Sequence, residues 1–177
     1  PADLTAAERR IDDNLCGALF GTPDTTKVPV AYFYDYQCSI CRRLSPRLRT
    51  LDNVAIRWHD LAGLGPASTT AVRAAIAARK QGAFDAFHDR LMRAAFQPNE
   101  GYIRALADSI GINADRLLSD MKGADVTDQI WLSRALANKF TMLGTPGMVI
   151  GRTVVIGDIS SGDLSRLIAL ESGATCE

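Results

Sequence analysis

The sequence predicts a single α/β domain in which a strand-helix-strand unit and a later strand-strand-helix unit flank a block of helices. Three observations predict this order. Two apolar runs rich in β-branched and aromatic residues surround a helical segment near the start, the apolar period is helical over about residues 67–142, and two short strands precede a last helix. With 177 residues, of which 47% are hydrophobic and 23% charged, the chain can bury one core, which excludes disordered and collagen-like classes.

The first half of the chain contains the strand-helix-strand unit. A capping-box pattern, Thr5-Ala6-Ala7-Glu8, predicts a leading helix over about residues 5–16, and the turn residues 21–24 end it. Residues 28–34 are continuously apolar, as in a strand buried on both faces. A helix kinked at Pro46 and a second strand over residues 54–61 complete the unit, and we expect a turn at residues 63–66 to end it.

The second half begins with the helical block and ends with the last two strands. Glycine and proline residues divide the block into segments, which we place at residues 70–80, 83–96, 101–110, 114–121 and 126–142. Strands follow at residues 148–150 and 153–156, joined by a tight Gly151-Arg152 connection, and a helix follows at residues 161–171. Such a long helical excursion indicates a subdomain inserted into one fold.

The charge balance limits the classes of partner. Twenty Lys and Arg residues balance twenty Asp and Glu residues, so the formal net charge is zero. No long-range field therefore attracts nucleic acid or anionic lipid, and we expect no nucleic-acid partner. No apolar run reaches the roughly 18 residues that a membrane-spanning helix needs.

Four cysteines, Cys16, Cys38, Cys41 and Cys176, are too few for a disulfide-dense scaffold and too widely spread for a zinc finger. The motif Cys38-Ser39-Ile40-Cys41 lies between the first strand and the following helix. The N-terminus of a helix stabilises a thiolate, and a spacing of two residues lets both sulfurs meet across the first turn. We expect Cys38 to be the exposed nucleophile and Cys41 the more buried resolving thiol.

Two other interpretations of this pair remain open at this point. The pair can be structural, or it can hold Cu(I) between its two thiolates. Zinc would need two further ligands, and only His59 and His88 could be the histidines among them. His59 follows Trp58 near a strand end and His88 lies in an amphipathic helix, so structural roles are favoured for both. We therefore expect no metal site.

The motifs resemble a known family. The CxxC motif followed by Pro46, together with Gly144-Thr145-Pro146 before an apolar strand, resembles the thioredoxin fold with its cis-proline loop. The helical block is similar to the insertion of DsbA-like proteins. Further segments, over about residues 30–170, resemble the DsbA/Com1-type branch: Phe33 to Cys38, Leu64-Gly65-Pro66, residues 77–82 and residues 87–92.

This resemblance implies a thioredoxin fold with an inserted α-helical subdomain and one domain over residues 1–177. Its thioredoxin-fold parts are expected at about residues 27–66 and 143–172, the insertion at about 67–142 and the leading helix at about 5–16. The implied activity is thiol:disulfide oxidoreductase, which introduces or exchanges disulfide bonds in exported proteins through a mixed disulfide at Cys38. Thr145 and Pro146 would bind substrate, Ser39 and Ile40 would tune the active site, and the Cys38–Cys41 disulfide would replace any cofactor.

The resemblance also implies partners and a compartment. The expected partners are unfolded or reduced exported proteins and a membrane redox partner that resets the active-site disulfide. We expect a monomer that is periplasmic or otherwise exported, with a signal peptide removed before Pro1. Two alternative functions stay open, namely a disulfide isomerase or reductase and a copper-handling CxxC module.

Some residues depart from the family pattern. Strongly oxidising relatives usually carry Pro-His between the cysteines, where this chain has Ser39-Ile40, so we expect a milder oxidant. Many relatives place an acidic residue six positions before the first cysteine, where this chain has Tyr32. A proton relay would then have to use Asp35 or water.

The outer cysteines form a second candidate pair. Cys16 ends the predicted leading helix and Cys176 is the penultimate residue. If both ends of the chain lie at one edge of the sheet, these cysteines can form a structural disulfide, which would indicate an oxidising compartment. Two unpaired thiols remain the alternative.

Overall fold

The structure is a computed structural model that describes residues 4–22, 24–95 and 97–176, apart from the side chains of residues 4 and 5. The described elements follow in chain order: α1 (Leu4–Asp13), α2 (Leu15–Phe20), β1 (Val28–Tyr34), α3 (Ser39–Leu48), β2 (Val54–Asp60), α4 (Pro66–Arg79), α5 (Phe84–Met92), α6 (Glu100–Ile110), α7 (Ala114–Asp120), α8 (Ala124–Lys139), β3 (Gly147–Ile150), β4 (Thr153–Ile156) and α9 (Ser161–Leu170). None of these helices is long and apolar enough to cross a membrane.

The four strands form one mixed sheet in the order β2-β1-β3-β4. Strand β1 pairs in parallel with β2, so that Val28 lies opposite Val54, and antiparallel with β3, so that Val30 lies opposite Ile150. All seven residues of β1 are buried, as expected for a central strand covered on both faces. The sheet confirms the predicted α/β class, and β1 is one of its two inner strands.

The two faces of β1 belong to two hydrophobic cores, because successive side chains of a strand point to opposite faces. Tyr32 and Tyr34 lie in the core that includes α3 and most of the inserted helices. Ala31 and Phe33 lie in the second core, with Leu136 of α8 and Ile11 of α1. Both faces of the sheet are therefore covered.

Several element boundaries differ from the sequence-based prediction. The leading segment is two helices, because Asn14 caps α2 by accepting a hydrogen bond from the Gly17 N–H at 2.7 Å. Helix α4 begins at Pro66, not at residue 70, because proline suits the first helical position and Gly65 supplies a φ of 96° just before it. Helices α5 and α8 end earlier than predicted, at Met92 and Lys139.

Three details of the prediction lie outside the described residues. These are Pro23 in the turn after the leading helices, Phe96 at the end of the predicted 83–96 segment, and the side chain of Thr5 in the capping box. Helix α1 begins at Leu4, so the backbone of Thr5 already lies within it.

Two buried hydrogen bonds of His88 join the inserted helix α5 to α3 and to Tyr36. The Ser45 hydroxyl lies 2.7 Å from His88 Nε2, and the other ring nitrogen of His88 lies 3.0 Å from the Tyr36 hydroxyl. Burial lowers the pKa of His88 to about 3, so its ring is neutral at neutral pH. His59, also buried and with its pKa lowered to about 4, lies with Nε2 2.7 Å from the Leu19 carbonyl oxygen. Both histidines therefore lie in the protein core.

Candidate active site

Cys38 lies where the central strand passes into a helix. It is the N-cap residue of α3, with φ −79° and ψ 116°, and its sulfur accepts a hydrogen bond from the Cys41 N–H at 3.3 Å. Its own N–H donates to the Asp35 carbonyl oxygen at 3.1 Å. The sulfur of Cys38 is thus held at the positive end of the helix, where negative charge is favoured.

Cys41 lies one turn into the helix and is fully buried, and Cys38 is also buried, with 8% of its surface exposed, so it is less open than expected for the nucleophile. Both are free thiols in this structure. Burial, followed by the interaction with Cys38, raises the pKa of the Cys41 thiol to about 12. Cys41 is therefore a neutral thiol over the physiological range, and solvent reaches the pair from the side of Cys38.

The loop before β3 closes over Cys38. The Thr145–Pro146 peptide bond is cis, and the Cys38 thiol donates a hydrogen bond to the Thr145 carbonyl oxygen at 3.4 Å. Strand β3 begins directly after this loop and pairs with β1, with Gly147 opposite Phe33. Because β1 leads into Cys38 and β3 leads out of Pro146, the pairing of these strands brings the two segments together.

Ser39 and Ile40 lie between the two cysteines, and Tyr32 lies beneath them. Ser39 is exposed, and Ile40 is half-buried against the main core. Tyr32 is fully buried beneath α3, with its hydroxyl 3.5 Å from the Cys41 carbonyl oxygen. Burial raises the pKa of Tyr32 far above its usual value, so a neutral phenol occupies the place beneath the thiols.

Asp35 acts as an anchor for the loops beside the active site. Its buried carboxylate accepts hydrogen bonds from the Gln37 N–H at 2.8 Å and the Ser68 hydroxyl at 2.5 Å. It also accepts from the N–H groups of Gly63 at 2.9 Å and Leu64 at 3.2 Å. Four donors thus hold this carboxylate, which fastens the start of the CxxC loop to the connection between β2 and α4.

A groove lies beside Thr145. A hollow of about 310 Å³ is lined there by residues from three distant segments, including Leu64, Arg134 and Leu143. Gly147 leaves room for Met142, which lines this hollow, because a Cβ added at Gly147 would lie 2.6 Å from the Met142 sulfur. Leu64 lies in a segment that resembles the family, but no local pattern indicates that Leu64, Arg134 and Leu143 meet, because only the tertiary structure brings them together.

The outer cysteines lie at the other end of β1. Cys16 and Cys176 are joined by a disulfide across 160 positions, and both line a hollow next to Pro29. Among the described residues, no group of three or more His, Cys, Asp or Glu side chains is arranged to hold a metal ion.

A family model described as the DSBA-like thioredoxin domain matches residues 54–169. The chain belongs to this family. A thioredoxin-like oxidoreductase from Silicibacter pomeroyi DSS-3 is 33% identical, with a TM-score of 0.80 over 90% of this chain and 98% of that chain. A search of curated proteins finds no significant match.

Two further solved structures share the fold at lower identity. The thiol-disulfide exchange protein alpha-DsbA2 from Wolbachia pipientis is 21% identical, with a TM-score of 0.80 over 96% of this chain and 98% of that chain. Oxidised BdbD from Bacillus subtilis is 21% identical, with a TM-score of 0.73 over 84% of this chain and 89% of that chain. The predicted thioredoxin fold with a helical insertion is thus confirmed. The chain belongs to the DsbA-like family of thiol-disulfide oxidoreductases.

The match to the family model begins at residue 54, after the CxxC motif. In this DSBA-like domain, the first cysteine caps a helix, the second is buried behind it, and a cis-proline loop lies against the first sulfur. Such a pair can exchange a disulfide with another thiol.

Proposed function

We propose that this DSBA-like protein is a dithiol oxidase, which transfers the disulfide of Cys38 and Cys41 to reduced exported proteins. The observation that carries the proposal is the asymmetry of the pair. The Cys38 sulfur lies at the N-cap of α3 beside the Thr145 carbonyl, whereas Cys41 is fully buried. One sulfur can therefore be attacked by a substrate thiolate, and the other serves as leaving group.

The reaction proceeds in two exchange steps. A substrate thiolate attacks the Cys38 sulfur of the oxidised pair, the Cys38–Cys41 bond breaks, and Cys41 leaves as a thiolate and takes up a proton. The raised pKa of Cys41, about 12, favours that protonation. A second substrate thiolate then attacks the substrate sulfur of the mixed disulfide and releases Cys38 as a thiolate. The substrate gains a disulfide, and the pair receives two electrons.

The direction of exchange follows from what stabilises the reduced form. The Cys38 sulfur lies at the N-terminus of α3 and accepts the Cys41 N–H, and contacts that stabilise the reduced form make the oxidised pair a better oxidant. Ser39 and Ile40 provide no imidazole beside Cys38, so we expect a milder oxidant than relatives with Pro-His. No cofactor takes part, and a membrane redox partner resets the disulfide after each turnover.

Substrate binding is assigned to the loop at Thr145 and Pro146. An extended substrate segment pairs with the Thr145 backbone, as peptides add to exposed strand edges in other complexes. The disulfide between Cys16 and Cys176 supports an exported or periplasmic location, because such bonds persist in oxidising compartments. We infer that the protein works as a single domain and as a monomer.

The experiment is an oxidation assay with a reduced, unfolded protein that has two cysteines. The oxidised protein and its Cys38→Ser and Cys41→Ser variants are mixed with this substrate, and free thiols and mixed disulfides are followed with time. The parent protein should remove substrate thiols, Cys38→Ser should not, and Cys41→Ser should accumulate mixed disulfide. Retained oxidation by Cys38→Ser would show that the assignment of the nucleophile is wrong.

A glutathione redox series separates an oxidase from a reductase. An oxidase should have a Cys38–Cys41 potential above about −200 mV, whereas a value near the −270 mV of thioredoxin would indicate a reductase. Titration with Cu(I) under reducing conditions tests the copper-handling alternative, since tight binding without disulfide exchange would favour it.

A further inference from the structure

A groove leads away from the reactive site along α8. It consists of the 310 Å³ hollow at Thr145 and a neighbouring hollow of about 270 Å³. Leu61 and Arg134 line both hollows, so the two lie side by side between the β2–α4 connection and α8. Thr145 belongs both to this groove and to the contact with the Cys38 sulfur.

The walls of the groove carry exposed apolar side chains. Leu143 is 95% exposed and Leu64 is 55% exposed, and both line the hollow next to Thr145. Trp131 is 37% exposed and lines the second hollow. Apolar side chains clustered beside a reactive site favour contact with an apolar group of a binding partner.

The groove also carries positive charge that no described carboxylate pairs with. Arg134 is exposed and forms no ion pair with the described residues. Arg73, in the second hollow, donates to the Met121 carbonyl oxygen at 2.8 Å and to the Thr127 hydroxyl at 3.2 Å. The carboxylate of Asp35 in the groove is buried and held by four donors. The accessible charge of the groove is therefore positive, although the whole chain is neutral.

We propose that this groove binds the substrate segment next to the cysteine that joins Cys38, and that it selects segments with an apolar side chain and a carboxylate. The proposal rests on the function proposed above, and it names the substrate feature that this site recognises. The occupant is the substrate chain itself, because a polypeptide bonded to Cys38 and paired with Thr145 enters the groove at its open end. Arg134 binds the carboxylate, and Leu64 and Leu143 contact the apolar side chain.

The test uses short peptides and the Cys41→Ser variant. Each peptide has one cysteine that carries thionitrobenzoate, and Cys38 attack releases the coloured thiolate and leaves the peptide on Cys38. A leucine and either glutamate, glutamine or lysine are placed in turn at each position on both sides of the cysteine. Because nearby charge also alters the reactivity of the peptide disulfide, each rate is divided by the rate of the same peptide with glutathione.

On one side of the cysteine, the glutamate peptides should react about threefold to tenfold faster than the lysine peptides at low salt. This ratio should fall towards one at high ionic strength, because salt screens exposed charges. Arg134→Gln should remove most of the preference, and Arg134→Glu should invert it. Leu143→Asn should reduce the preference for leucine over serine, measured with a matched set of peptides in which serine replaces the leucine.

The matched control is Arg90→Glu, which makes the same change of charge on α5, away from the groove. It should keep the glutamate preference of the parent. Equal rates for glutamate and lysine peptides, or an unchanged preference in a folded Arg134→Glu variant, would overturn the groove proposal while leaving the oxidase proposal intact. A failure of every peptide to join Cys38 would overturn the proposed function and the groove with it.

Discussion

The thiol of Cys38 donates a hydrogen bond to the carbonyl oxygen of Thr145 at 3.4 Å, although the two residues are 107 positions apart. The contact exists because Cys38 follows β1 and Thr145 precedes β3, and these strands are neighbours in the sheet. Behind Cys38, the buried Cys41 donates its N–H to the same sulfur. The Cys38 sulfur is therefore held between the N-terminus of α3 and the Thr145 loop.

The two thiols of the reduced protein should differ strongly in reactivity. The pKa of Cys41, raised to about 12 by burial, leaves almost no thiolate at pH 7.5, and its side chain is inaccessible. A brief pulse of iodoacetamide at pH 7.5 should therefore label Cys38 first, by at least tenfold, as measured by mass spectrometry of the peptides. Labelling after unfolding in denaturant is the control, in which both cysteines should react alike. Equal labelling of the folded protein would contradict the assignment of roles.

The anchor at Asp35 should be needed for stability and for the shape of the site. In Asp35→Asn, the amide NH2 cannot accept the donors that the carboxylate binds, so at least one buried donor loses its partner. We expect a loss of about 1 to 3 kcal/mol in the free energy of unfolding and slower labelling or exchange at Cys38. Asp52→Asn, at an exposed position, is the matched control. A variant as stable as this control would show that the four hydrogen bonds contribute little.

Acid should destabilise the protein through its buried histidines. The folded pKa of His88 is lowered to about 3 and that of His59 to about 4, whereas an unfolded histidine titrates near 6.5. Between these values the unfolded chain binds more protons, so the free energy of unfolding falls as the pH falls from about 6.5. Each histidine should contribute a slope of about 1.4 kcal/mol per pH unit in that window.

The variant His88→Gln tests this slope separately from any overall loss of stability. Urea unfolding of the oxidised protein at several pH values between 6.5 and 4.5 should show a slope smaller by about 1.4 kcal/mol per pH unit than in the parent. The remaining slope should include the share of His59. An unchanged slope in His88→Gln would mean that His88 takes up its proton over the same pH range in the folded and unfolded protein.

The disulfide between Cys16 and Cys176 should stabilise the fold without taking part in exchange. Closing a loop across 160 positions is worth up to about 5 kcal/mol in the chain-entropy model. The double variant Cys16→Ala/Cys176→Ala should therefore unfold at lower denaturant concentration and keep the oxidation rate of the parent. Mass spectrometry of non-reduced peptides should find the linked pair in the parent. If both thiols alkylate freely in the native protein, the bond does not form in solution.

Much of the fold was predictable because its signals are local. Short stretches of sequence were enough to predict three features: the continuous apolar run of β1, the hairpin connection at residues 151–152 and the helical periods of the insertion. The start of α4 was misplaced, because the Gly65-Pro66 pair suits both a turn and a helix start. The break at Asn14 was missed because the amphipathic pattern runs across it.

The sequence by itself determined the α/β order, the CxxC motif at the start of a helix and the resemblance to DsbA-like proteins, because these depend on neighbouring residues. Only the tertiary structure decided what surrounds the motif. The cis-proline loop meets Cys38 through strand pairing, Asp35 is an anchor held by donors from a distant connection, and Arg134 faces a groove formed by three segments. Such contacts join residues far apart in the chain, and no local pattern encodes which surfaces the packed sheet and helices will bring together.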